Sequence, residues 1–321
     1  MGADALLTRV AATGLLQEGR PVVVLLSGGR DSVCLLAAAV DLGAAVTALH
    51  VDYGLREAST ADAEHCAALC ARLGVPITIE RTRRPEHAPG NLQAWARDVR
   101  YGVGARLATA GGADLATGHT RTDQAETVLY RLASSPGRRA LLGMAPRSGR
   151  LVRPLLEVTR EDTAAFCRRR GLPWREDASN ASPAFARSRV RHGLLPALRA
   201  VDARAEANVV RTAELLRDEA EVLDVVVDTA LAGRDRIAVD HLRALPRAVA
   251  RLVVRRLAED VTGNLCARAP GRLDDLLALG EHRPAKPGDP WALDLGDGAR
   301  AEIRDGVLRM VPTPRPGART G

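Results

Sequence analysis

Residues 22 to 32 read Val-Val-Val-Leu-Leu-Ser-Gly-Gly-Arg-Asp-Ser, and beyond them Val33, Leu36, Ala37 and Val40 recur at i, i+3, i+4 and i+7. An apolar run, a glycine turn and then one apolar helical face predict a buried strand, a tight loop and an amphipathic helix. That order builds an anion site. Gly28 and Gly29 permit positive φ and expose backbone N–H groups, and the helix adds its positive N-terminal end. Ser27 and Ser32 bring hydroxyl donors, and Asp31 is placed to hold a metal ion or to orient the loop. The stretch therefore reads as a phosphate-binding loop for a nucleotide.

Two other nucleotide loops are excluded. A Walker-type loop needs Gly-x-x-x-x-Gly-Lys, and the only lysine, Lys286, lies in a distant proline-rich segment. A dinucleotide fingerprint needs three spaced glycines after a strand. Gly102 and Gly104 lack the third, with Leu107 in its place, and sit in a helical pattern.

The 321 residues suggest about two domains, and 46% apolar residues suffice for packed cores. No apolar run approaches the roughly 18 residues of a membrane span, and no secretory pattern opens the chain. The expectation is a cytosolic protein with no membrane partner. The five cysteines form no C-x-x-C pair, and Cys66, Leu69, Cys70 and Leu73 share one helical face, as small core residues would.

The net charge of +7 suggests a polyanionic partner. Residues 160 to 200 hold nine arginines against four acids, a local +5 that reads as phosphate contact. Aromatic residues are only 2% of the chain, which argues against a base-stacking platform.

Strands are expected at Val22–Leu26, Val46–Val51, Ile77–Arg81 and Leu115–Thr117. Helical patterns lie between them near Ser32–Leu42, Thr60–Leu73 and Leu92–Ala110. This alternation predicts an α/β fold, a parallel doubly wound sheet with ligands at the carboxyl ends of its strands. Leu194-Leu195-Pro196 is the candidate linker, placing domains at 1–200 and 201–321. The second is expected to be smaller and mainly helical, with a long pattern through Leu215–Leu231 and another helix carrying Leu242, Leu245, Val249, Leu252 and Val253. A terminal β-hairpin is expected at Gly296-Asp297-Gly298, with Val307–Val311 as a third strand.

A second constellation follows the fourth strand: Thr-Gly-His-Thr-Arg-Thr-Asp-Gln-Ala-Glu over residues 117 to 126. Thr120 and Asp123 resemble a helix start. Asp123 and Glu126 then share one face of the first turn, with His119 just before it. Two carboxylates and an imidazole beside a nucleotide can bind Mg²⁺, hold a substrate ammonium or move a proton.

With both constellations in view, the chain resembles the tRNA(Ile)-lysidine synthetase family of N-type ATP pyrophosphatases (PP-loop proteins), closely over about residues 20 to 200. Ser27–Ser32 is similar to its S-G-G-x-D-S loop, and residues 50–56 to its H-V-D-H-G-L-R segment. Ala96-Arg97 with Arg100-Tyr101 is similar to its A-R-x-x-R-Y helix, and Thr117–Leu129 to T-G-H-x-x-x-D-Q-A-E-T-V-L. Arg153-Pro154-Leu155-Leu156, residues 176–180 and Arg187-Ser188-Arg189-Val190-Arg191 resemble later blocks. Tyr53, Thr122 and Ser188 depart from the usual histidine, aspartate and asparagine. The chain resembles the family's short form.

The resemblance implies an adenine nucleotide alpha-hydrolase-like PP-loop domain over 1–200 and a tRNA-binding helical domain over 201–321. It also implies an AMP-forming ligase. ATP activates C2 of the wobble cytidine in the CAU anticodon of an isoleucine tRNA, and free L-lysine then displaces the oxygen to give lysidine. Codon recognition changes from AUG to AUA, and amino acid specificity from methionine to isoleucine. ATP would lie on Ser27, Gly28, Gly29, Arg30, Asp31, Ser32, His50 and Val51, with Mg²⁺ at Asp31. Asp123 and Glu126 would bind lysine, and Asp31, His119 and Asp123 would carry catalysis. Arg97, Arg187, Arg189 and Arg191 would contact tRNA or the ATP phosphates. A homodimer stands as an open alternative to a monomer.

Three rivals remain: a tRNA thiolase, which should show paired cysteines; an amidotransferase-type synthetase, which needs no RNA; and a non-catalytic RNA-binding module. The last explains the charge but not Asp31, His119 and Asp123 gathered at strand ends.

Overall fold

The computed structural model describes residues 3–54, 58–85, 91–134, 138–175, 186–279 and 291–314. Leu55 and Arg56, the block 176–180 and Lys286 lie outside the described residues. Two compact units are present, Met1–Leu216 and Arg217–Gly321.

The first unit opens with α1 (Ala3–Ala12) and then alternates strand and helix. In order follow β1 (Pro21–Leu25), α2 (Arg30–Asp41), β2 (Ala45–Asp52), α3 (Ala58–Leu73), β3 (Ile77–Arg81), α4 (Leu92–Ala110), β4 (Asp114–Ala116) and α5 (Arg121–Ser134). A short α6 (Arg138–Leu141), β5 (Arg147–Ser148), β6 (Leu151–Val152) and α7 (Arg160–Arg169) continue it. The sheet order is β3-β2-β1-β4-β6-β5, all parallel except the β5–β6 pair. The doubly wound α/β expectation is met. The edge pair β5–β6 gave no periodic signal, because strands of two residues are too short to show one.

The apolar run of β1 explains the layering. Val22, Val24 and Leu26 join one core with α1, α2 and α7, whereas Val23 and Leu25 join the opposite core with α4. Side chains alternate across a strand, so a strand covered on both faces reads as continuously apolar. Helix α2 is buried from Ser32 to Ala39, which its small and apolar residues allow. Cys66 and Cys70 are fully buried, as their helical spacing predicted.

The order β2-β1-β4 puts the reversal of winding between β1 and β4. Their carboxyl ends carry Ser27–Ser32 and Thr117–Thr122, so both constellations meet at the crevice where such sheets bind ligands.

One boundary expectation fails. Leu194-Leu195-Pro196 is no linker: α8 (Ala186–Arg189) continues through a π-helical stretch, Val190–Leu194, into α9 (Leu195–Val201). Proline is tolerated in a first turn, where its missing N–H is not needed, and Leu195 is buried against Ala125 and Leu129 of α5. The boundary between the units instead falls within α10 (Ala205–Leu231).

The second unit holds β7 (Arg236–Ala238), α11 (Val239–Ala244), α12 (Arg247–Thr262), α13 (Leu273–Leu279), β8 (Trp291–Gly296), β9 (Ala299–Arg304) and β10 (Val307–Pro312). Its antiparallel sheet has the order β7-β10-β9-β8. The hairpin turns at Asp297 and Gly298, both at positive φ, as expected. The helix expected through Leu242–Val253 is two, because Pro246 holds Leu245 extended and starts α12 afresh.

Phe166 is fully buried in the core that α7 shares with α2. Phe166→Ala should cost about 3–5 kcal/mol of unfolding free energy in a denaturant titration; a loss below about 1 kcal/mol would contradict this packing.

Candidate active site

The glycine loop departs from its expected geometry in one respect. Only Gly28 has positive φ, at 80°, whereas Gly29 is extended and serves as the N-cap of α2. Hydroxyls complete the turn. Ser32 Oγ donates to Gly29 O at 2.7 Å and accepts from Ser27 N at 3.2 Å, and Gly29 N donates to Ser27 Oγ at 3.3 Å. The serines thus lock the loop that presents its N–H groups to an anion.

Asp31 is held from two sides. Its Oδ1 accepts from Thr163 Oγ1 at 2.5 Å and Arg30 Nε at 3.2 Å, and its Oδ2 lies 3.4 Å from Arg160 Nε. Thr163 and Arg160 come from α7, whose start is fixed by a capping box between Thr159 and Asp162. Neither residue was assigned a site role from the sequence.

The second loop touches the first. A Cβ at Gly118 would fall 2.8 Å from Asp31 O and 3.0 Å from Ser32 N, so only glycine permits this approach. Thr120 and Asp123 then cap α5 reciprocally. Thr120 N donates to Asp123 Oδ2 at 2.9 Å, and Asp123 N donates to Thr120 Oγ1 at 3.3 Å.

Asp123 and Glu126 come together, with Arg191 as their partner. Arg191 Nε and Nη2 donate to Glu126 Oε1 and Oε2 at 2.6 and 2.7 Å, and Nη2 lies 3.3 Å from Asp123 Oδ1. Glu126 is buried, and burial pushes its pKa up against the opposing Arg191 hydrogen bond. Despite its own burial, Arg191 is held above its ordinary pKa by the Glu126 hydrogen bond and charge.

A cleft of about 1030 Å³ joins these parts. Ser27, Gly29, Arg30, Asp31, Ser32, His50, Val51, His119 and Arg191 line it. Gly28, Asp123, Glu126, Arg97, Arg187 and Arg189 do not, so Arg191 faces the cleft in front of the acid pair. The volume lies at the upper end of the range for small-ligand pockets. His50 is fixed by its Nδ1, 2.9 Å from Leu26 O.

His119 Nδ1 lies 2.9 Å from Thr117 Oγ1. Burial pushes its pKa down to about 4; Asp123 opposes this, and Arg153, Arg97 and Arg100 add to it. The ring is therefore neutral near pH 7.

The three departures find roles or a place. Tyr53 OH donates to Ala96 O at 2.9 Å, and its ring meets Trp95 edge-on. Thr122 Oγ1 donates at 2.9 Å to the buried carboxylate of Glu206, which also pairs with Arg199. A carboxylate thus stands beside Thr122, from α10, and no local pattern announced it. Ser188 is buried with no hydroxyl partner, which nothing in the structure explains.

The arginine-rich stretch is less available than its charge suggested. Arg160, Arg170, Arg175, Arg191 and Arg199, five of the nine, pair with Asp31, Asp41, Asp62, Glu126 and Glu206 inside the fold.

Comparison with known proteins adds to this geometry. A PP-loop domain family matches residues 5–198. A tRNA(Ile)-lysidine synthase of Solibacter usitatus is 40% identical over 277 residues, covering 83% of this chain and 62% of that protein. One of Symbiobacterium thermophilum is 39% identical, covering 96% and 69% respectively. One of Thermobifida fusca is 41% identical, covering 76% and 78%. The chain thus spans somewhat under two thirds of the Solibacter protein. Among solved structures, the U34-tRNA thiolase NcsA of Methanococcus maripaludis superposes with a TM-score of 0.58 at 20% identity. That match covers 67% of this chain and 78% of that one, a likeness of fold alone.

Two outcomes follow. Gly118→Ala should force the loops apart and weaken ATP affinity at least tenfold in a calorimetric titration, whereas unchanged affinity would place the nucleotide elsewhere. In an NMR titration the His119 ring should protonate near pH 4. Because its folded pKa lies below the unfolded value, its stability contribution, up to about 3 kcal/mol, is complete above pH 6.5 and is lost as pH falls toward 4. A midpoint near 6.5 would contradict its burial.

Proposed function

We propose, from the premise that this chain belongs to the tRNA(Ile)-lysidine synthase family of PP-loop proteins, that it joins free L-lysine to the wobble cytidine of a CAU-anticodon isoleucine tRNA. The observation that carries this reading is that the phosphate-binding loop and Arg191, which clasps the acid pair behind it, line one cleft at adjacent strand ends. The product would read AUA in place of AUG.

The chemistry divides into two displacements. The cytidine O2 attacks the α-phosphorus of ATP, and pyrophosphate leaves. The lysine ε-amine then adds at C2, and AMP carries the oxygen away. Gly28, Gly29 and the α2 N-terminus stabilise the pyrophosphate charge through their N–H groups. Asp31 is the carboxylate that would hold Mg²⁺ together with phosphate oxygens. One protein carboxylate plus phosphates is a donor set that ion accepts, and when bound it offsets phosphate charge. Among the described residues no cluster of three metal-ligating side chains exists, and nucleotide phosphates would have to supply further ligands to such an ion.

Lysine enters as an ammonium with a pKa near 10.4, and the attacking amine must be neutral. Asp123 and Glu126 receive the ammonium once Arg191 turns from them toward phosphate. Neutral His119 is a poor acceptor for that proton, with a pKa of about 4 against roughly 10.4, and acts by contacting the phosphate; the proton passes to the Asp123–Glu126 pair, where burial favours protonation of Glu126. Arg97, Arg187 and Arg189 contact RNA phosphates, and residues 201–321 grip the tRNA body.

Radiolabelled lysine should enter isoleucine CAU tRNA with release of AMP, and should not enter methionine CAU tRNA. ATP cleavage to AMP without label in either would keep the loop chemistry and overturn the lysine assignment. Asp123→Asn keeps a side-chain acceptor for the α5 cap but removes the charge. It should raise the KM for lysine at least tenfold and spare adenylate formation. Equal loss of both steps would assign Asp123 to ATP or metal instead.

A further inference from the structure

Outside the lining of the cleft lie four guanidiniums from four segments, Arg97 on α4, Arg131 on α5, Arg153 after β6 and Arg187 on α8, of which Arg97 and Arg153 act on His119. Their anchors bring them together. Arg131 Nη1 donates to Gly143 O at 2.8 Å and Arg153 Nη1 to Ala145 O at 2.6 Å, two carbonyls of one loop. Arg187 Nη2 reaches Thr127 Oγ1 at 3.5 Å, one helical turn before Arg131. Arg97 stacks over the Tyr101 ring at 4.6 Å.

None of the four is ion-paired to a carboxylate among the described residues, in contrast to Arg160, Arg175, Arg191 and Arg199. Arg153 is only 8% exposed, yet its buried Nε has no hydrogen-bond partner, and neither does the nearby Tyr101 hydroxyl. Buried donors of this kind are costly unless something accepts from them. Burial and mutual repulsion hold Arg131 and Arg153 below their ordinary pKa. Arg187 and Arg97 act on Arg131, and Arg97 and Arg131 act on Arg153. A folded protein that gathers uncompensated cations lowers their energy by binding an anion.

We propose that Arg97, Arg131, Arg153 and Arg187 form a second anion pocket, distinct from the ATP loop, that takes a backbone phosphodiester of the RNA strand next to the reacting nucleotide. Guanidiniums fit phosphate oxygens bidentately. The pocket, two of whose guanidiniums act on His119, sets one backbone phosphate of the strand while the base enters the cleft. The pocket rests on the RNA-modifying reading only for the identity of that strand. It reads the backbone and not the base, so it acts on any tRNA. Arg153 is its buried member and Arg131 its half-buried one, and neither was given a site role from the sequence.

The test uses the full chain, with Arg131→Gln and, separately, the exposed Arg187→Gln. Binding of isoleucine CAU tRNA and of bulk tRNA is measured across a salt series, and binding of ATP and of inorganic pyrophosphate is measured calorimetrically. Each variant should bind both RNAs at least fivefold more weakly, with a salt slope shallower by about 0.7, the value for one single-strand phosphate. ATP and pyrophosphate affinities should stay within twofold, which also reports an intact fold. Unchanged RNA affinity and slope in both variants would overturn the pocket, as would a parental protein that binds neither RNA. An equal fall in pyrophosphate affinity would overturn the RNA assignment and make the pocket a subsite for the free anion. Failure of lysine transfer alone, with the shallower slopes intact, would refute the proposed reaction and leave the pocket standing.

Discussion

The close approach of Gly118 to the Asp31 backbone is the constraint on which the catalytic unit depends. Two parallel strands place their carboxyl ends side by side, but a nucleotide and a second reactant need loops within a few ångströms of each other. The missing Cβ provides that, since any other side chain would meet backbone at 2.8 Å. Flanking groups then fix each loop separately: Ser27 and Ser32 the first, the Thr120–Asp123 cap the second. Helix α7, packed on α2, supplies Arg160 and Thr163 to Asp31 and ties the loop to the core. The site is therefore set by rigid elements.

Electrostatics divides the site into regions of opposite demand. The loop offers N–H groups and a helix end to phosphates, whereas Asp123 and Glu126 offer negative charge. Left alone, a buried Glu126 would be driven toward its protonated form. Arg191 opposes this, and a ligand ammonium replacing it would oppose it in the same way. In the proposed reaction the same arginine would then be released toward phosphate. Arginine does this better than lysine, because its fork holds both Glu126 oxygens at once.

Much of this was legible in the sequence, for definable reasons. The β1 run, the glycine loop and the α2 periodicity are local signals, and the strand–helix alternation leaves few topologies. The cap at Thr120 and the shared face of Asp123 and Glu126 follow from helical geometry. What escaped was tertiary. Arg191 lies 65 residues from Glu126, and Glu206 lies 84 from Thr122. Net charge over 160–200 overstated the surface available to RNA, because composition does not show which arginines find acids within the fold. Leu194-Leu195-Pro196 misled because proline after leucines suits a linker and a helix's first turn alike, and only the burial of Leu195 decides between them.

The most direct measurement is a crystal structure of the full chain with a non-hydrolysable ATP analogue and L-lysine. The triphosphate should lie on the N–H groups of residues 28–32, with the lysine ammonium between Asp123 and Glu126 and Arg191 turned away from them. A triphosphate held elsewhere, or a lysine bound with the Arg191–Glu126 fork still closed, would contradict the account.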